Sequence, residues 1–151
     1  LAQVFLNRKH RELLPFEVIY FLKQHTKLVS WMLDWIIDKA EEVLEKVSNN
    51  NDFLVEFCSA KMLQIMALSL DGSTDEASEI ADEMPSYLYR LPSWGVYLAP
   101  HTLYWSARAY VAELRHEDAV RVLKQAKKYK KYIFNIRGKI SRVMQDTLKL
   151  M

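Results

Sequence analysis

The sequence predicts an all-α fold, with about seven helices packed as consecutive hairpins in one domain. Three observations carry that expectation. Apolar residues recur at three- and four-residue intervals almost throughout. Glycine and proline number only three and four in 151 residues, which leaves few places for the tight turns of strand-rich folds. Small residues also return at the same stage of successive helices. Half of the residues are hydrophobic, too many for a disordered chain, and the length suffices to bury a core.

The elements follow in order. Pro15 suits the first turn of a first helix, where its missing N–H has no partner to lose. Leu33, Ile36, Ile37, Ala40, Leu44 and Val47 share one face of a second helix over residues 31–47. The polar run Ser48-Asn49-Asn50-Asn51-Asp52 separates it from a third, over residues 53–70. At Asp71-Gly72-Ser73, Gly72 supplies a left-handed cap, and Ser73 with Glu76 forms a capping-box pattern that opens a fourth helix. Pro85 disfavours helical angles at Met84 and ends it there. Residues 85–99 read as a long linker, pinned to the helices by Tyr87, Tyr89, Trp94 and Tyr97. Pro100 opens a fifth helix, Arg115-His116 turns into a sixth, and a seventh runs from about Tyr132 to the end.

The internal repeat is the strongest signal. Ala40-Leu44-Val47, Ala77-Ala81-Met84 and Ala119-Leu123-Ala126 share the pattern Ala-x-x-x-apolar-x-x-apolar, with first alanines 37 and 42 residues apart. Helix-pair repeats of the tetratricopeptide type recur at about 34 residues with small residues where helices cross. The expected repeats are 13–47, 52–84 and 100–130, followed by a C-terminal helix at 132–151. In the third, Ala107 and Tyr110 take the small and tyrosine positions. Ala40, Ala77, Ala107, Ala119 and Ala126 are therefore the expected helix-crossing residues of a tetratricopeptide-like α-solenoid. The chain opens on Leu1 rather than Met, and so reads as an interior piece of a longer protein.

Charge is segregated. Residues 34–90 hold 4 bases against 13 acids, whereas residues 115–151 hold 11 bases against 3 acids. The apolar stretches 28–37 and 53–70 are interrupted by Asp34 and by Glu56, Lys61 and Gln64, and neither reads as a membrane span. One cysteine, Cys58, excludes an internal disulfide and reads as a packed thiol. His10, His25, His101 and His116 fall in different elements, and the three glycines form no phosphate loop, so no metal, cofactor or catalytic constellation is expected. Two surfaces remain. On the concave side of a solenoid, His101, Tyr104 and Arg108 would form a stripe for a protein or peptide partner. Alternatively, Lys124, Lys127, Lys128, Lys130, Lys131, Arg137, Lys139 and Arg142, interleaved with Tyr129 and Tyr132, would meet nucleic acid or an anionic membrane.

Four stretches carry a family likeness. They are Leu14-Pro15 with Asp38-Lys39-Ala40-Glu41-Glu42-Val43-Leu44-Glu45-Lys46; Leu70-Asp71-Gly72 with Asp75-Glu76-Ala77; Tyr97-Leu98-Ala99-Pro100-His101-Thr102-Leu103-Tyr104; and residues 117–127 with Tyr132 and Arg137. Together they resemble the C-terminal region of the tetratricopeptide repeat protein 39 family, which includes the fungal inclusion-body clearance proteins. In Ile140-Ser141-Arg142 the second base stands one place later than in that family. The resemblance implies a non-catalytic adaptor without a cofactor, joined to the remainder of its own chain. It also implies a cytoplasmic setting, at the surface of mitochondria or lipid droplets.

Overall fold

The computed structural model describes residues 6–23, 25–48 and 50–151. It is 72% helical, with no strand among the described residues. Eight helices follow one another from residue 14 onward among the described residues: α1 (Leu14–Phe21), α2 (Ser30–Val47), α3 (Leu54–Leu70), α4 (Thr74–Glu83), the single turn α5 (Pro85–Leu88), α6 (Leu98–Ala112), α7 (His116–Ala126) and α8 (Arg137–Leu150). Short 3₁₀ turns precede α2 at His25–Lys27 and α3 at Asn51–Phe53.

The third helix is the centre of the molecule. It is buried around most of its circumference, as a helix surrounded by neighbours is, and packs against α2, α4 and α6. The segment Asn51–Leu70 has a mean hydropathy of 1.5, long and apolar enough to cross a membrane by length and composition, despite Glu56 and Lys61. In this fold it is a core helix, 67% buried. Two further layers build outward, α7 on α6 and α8 on α7, while α4 bridges α3 and α6. Ala40, Ala77, Ala107, Ala119 and Ala126 are all fully buried. The residues expected to form the first hairpin, 13–47, behave differently: α1 makes its more extensive helix contact with α3, although Phe16 meets Trp35 of α2 edge-on at 5.2 Å.

Several boundaries depart from the sequence pattern. Gly72 does adopt the left-handed cap, at φ +90°, but the Ser73 side chain makes no capping hydrogen bond. Met84 keeps helical angles ahead of Pro85 (φ −73°, ψ −35°), and the proline opens α5 instead of ending helical structure. Complete burial of Met84 offsets the steric preference against that conformation. The linker is pinned as expected by Tyr87, whose ring lies 4.6 Å from Phe57, and by buried Tyr97, but Tyr89 is exposed. Gly95 closes the loop onto α3, where a Cβ would lie 2.6 Å from Val55. The last helix begins at Arg137 rather than Tyr132. Phe134 sits at φ +56°, which breaks any helix, and the Asn135 side chain accepts a hydrogen bond from the Arg137 N–H at 2.9 Å.

The N-terminal segment is fastened by buried polar groups. Arg8 pairs with Glu17 of α1 and donates to the Tyr97 hydroxyl at 3.2 Å, Ser59 donates to Glu17, and the Lys9 N–H donates to Glu56 at 3.0 Å. Burial raises the Glu17 carboxyl above its ordinary pKa, with Arg8 and Ser59 pulling in the opposite direction. Removing one member of such a pair costs about 3–5 kcal/mol, because the other is left buried and unpaired.

Candidate functional site

The stripe expected on an open concave face is largely covered. His101 and Tyr104 are buried at 2% and 9% exposure, and only Arg108 reaches solvent. This corrects the reading of the three as an exposed peptide-binding row. Helix α1 and the turn before α8 close over this side of α6. Phe21 stacks on Phe134 at 4.1 Å and meets His101 edge-on at 5.1 Å. Arg108 lies over the rings of Trp105, at 4.5 Å, and Tyr104, at 5.8 Å.

Beneath that cover runs a directed hydrogen-bond chain. The Phe134 carbonyl can only accept, so His101 carries its proton on Nε2 and donates it there at 2.8 Å. Its Nδ1 then accepts from the Tyr20 hydroxyl at 2.8 Å, and the Tyr20 oxygen accepts from the Trp105 indole N–H at 2.9 Å. Burial holds the imidazole neutral, lowering its pKa to about 4. Burial also raises the pKa of Tyr20.

The same residues wall a cavity of about 180 Å³. Tyr20, Phe21, His101, Tyr104, Trp105 and Phe134 supply its aromatic and imidazole walls, joined by His25 and Ile136. Exposed Lys23, Asn135 and Lys139 bring it to the surface. Two of the four histidines, which the sequence distributes over separate elements, thus converge on one space. His25 is 6% exposed, and its Nδ1 has no hydrogen-bond partner. No group of three metal-ligating side chains occurs among the described residues. Cys58 is fully buried, and burial pushes its thiol up to about 12.

The eight bases of the C-terminal quarter, Lys124 to Arg142, are all exposed. None of them pairs with a carboxylate among the described residues. Lys127 and Arg137 come together around one hollow beside α8.

A surface missed by the sequence reading lies on α2. Trp31 and Trp35, one turn apart, are 62% and 56% exposed. The signal was present, since both fall off the 33/36/37/40/44/47 stripe that faces the core. Asp34, Asp38, Glu41, Glu42 and Glu45 of the same helix are also exposed. No protein-family model matches this sequence, and no solved structure matches the fold.

Proposed function

We propose that this chain is a non-catalytic protein-binding module of the tetratricopeptide-like kind, acting as an adaptor. The observation that carries the reading is the exposed Trp31–Trp35 pair on α2. Tryptophan is enriched among residues that dominate binding energy, and two exposed rings one turn apart are unusual on a surface without a partner. Trp35 is held edge-on by Phe16, so its ring is already ordered for contact. The acidic residues around the pair select a partner segment with apolar anchors and basic flanks. The order of helix contacts supports the repeat reading: α2 with α3, α3 with α4 and α6, α4 with α6, α6 with α7. The likeness to the tetratricopeptide repeat protein 39 family supports a role in protein-inclusion or lipid homeostasis in the cytoplasm.

The test is cross-linking mass spectrometry on partners captured by the wild-type chain and by Trp31→Ala/Trp35→Ala. The expected result is cross-links that map to α2 and are lost in the double variant, with retention of the partner falling at least about tenfold. Equal retention by both proteins would remove this face from the reading.

A second reading has its own observation. Eight exposed bases without ion pairs would suit contact with a polyanion, nucleic acid or an anionic membrane.

A further inference from the structure

The aromatic cavity carries an inference that is independent of the protein-binding surface, since none of its lining residues belongs to α2. Its interior and its mouth differ in character. Three of the interior polar side chains are already committed: Trp105 to Tyr20, Tyr20 to His101, and His101 to the Phe134 carbonyl, while the His25 Nδ1 is left without a partner. What they present to the cavity is ring surface. The mouth is cationic. Lys23 and Lys139 line it, and Arg108 lies over the adjoining Trp105 ring. Among the described residues none of the three has a carboxylate within ion-pair distance. Burial and the charges of Lys23 and Arg108 all lower the pKa of Lys139, a positive field without a counterion.

Two more features belong to the same place. Asn135 turns its oxygen to the Arg137 N–H, which leaves its amide N–H₂ as a further donor at the mouth. Lys23 and Phe134 are two of the three non-glycine residues at positive φ among the described residues, at +61° and +56°. Such backbone costs free energy and concentrates at functional sites. A volume of about 180 Å³ compares with the ~150 Å³ apolar cavity known to hold benzene.

We propose that this cavity binds a small amphipathic anion, with a ring-sized apolar body between the aromatic walls and a carboxylate or phosphate head at Lys23, Lys139 and Asn135. The apolar body displaces water from aromatic ring faces that make no use of it. The head meets cations that have no carboxylate partner among the described residues.

The experiment titrates the protein with benzoate, phenyl phosphate and neutral benzamide, following the Trp105 indole N–H resonance. Lys23→Gly and Lys139→Gln are titrated alongside. Glycine adopts a positive φ without the Cβ penalty, so Lys23→Gly removes charge while relieving the backbone. We expect benzoate, phenyl phosphate or both to bind about tenfold tighter than benzamide, and whichever binds identifies the head group. Each substitution should weaken that binding about tenfold while thermal unfolding of Lys23→Gly stays at or above that of wild type. The proposal is overturned if neither anion shifts the Trp105 signal, if benzamide binds as tightly, or if Lys23→Gly binds like wild type.

Discussion

His101 shows what one side chain does in this fold. Its two ring nitrogens join α1, through the Tyr20 hydroxyl, to the turn before α8, through the Phe134 carbonyl. Accepting from Tyr20 requires the neutral ring, and burial favours it over the opposing pull of the Phe134 carbonyl. The imidazole has an ordinary pKa of 6.5 in the unfolded chain and about 4 in the folded one. Below pH 6.5 the unfolded chain takes up a proton that the native ring refuses. Stability is therefore lost progressively as pH falls from about 6.5 to 4, by up to about 3 kcal/mol from this residue. Urea unfolding of wild type and His101→Gln at neutral and acid pH isolates the term, because His25 and Glu17 titrate in both proteins. The variant should lose about 3 kcal/mol less than wild type on acidification, and equal losses would show that His101 titrates normally.

At the level of elements, the most closely associated helices bury their alanines completely. The pairs α2 with α3 and α6 with α7 make the most extensive contacts in the molecule. Ala40, Ala107 and Ala119 lie fully buried in them. A side chain larger than methyl at Ala119 must push α7 off α6 or distort both, a cost of about 1–3 kcal/mol. Ala119→Phe is expected to lower the thermal midpoint by several degrees, as differential scanning calorimetry would measure. An unchanged midpoint would place Ala119 outside the helix crossing. The Ser73 turn teaches the complementary lesson: a capping-box sequence is present, yet the side chain does not cap. Gly72 and the Ser73 N–H to Leu68 carbonyl bond, at 2.9 Å, already close the end of α3.

Across the whole molecule, charge is only partly neutralised. Arg115 bridges α7 to Asp82 of α4 at 2.8 Å, one place where the acidic and basic segments meet. The eight bases from Lys124 to Arg142 stay outside such pairs among the described residues. If they meet a polyanion, its affinity must fall steeply with salt as counterions are released. The measurement is binding to a mixed-sequence RNA and to anionic vesicles over a series of salt concentrations. Reversing Lys127, Lys128, Lys130 and Lys131 should flatten the salt slope by about 3–4. Salt-independent binding, or none, would remove the polyanion reading.

Local patterns were enough to determine the helical class, the helix end at Val47, the break at residues 71–73, the buried alanines and the charge segregation. Each depends on neighbours within a few positions, and helical periodicity writes those relations directly into the chain. Tertiary packing alone decided that His101 and Tyr104 are covered while Trp31 and Trp35 are bare. It also decided that the cavity exists, since its Tyr20–His101 bond joins residues 81 positions apart. An apolar stripe records that a face prefers burial, but which element arrives to bury it depends on how every other helix is placed. Phe134 reached that position through a left-handed backbone that no hydrophobic pattern encodes.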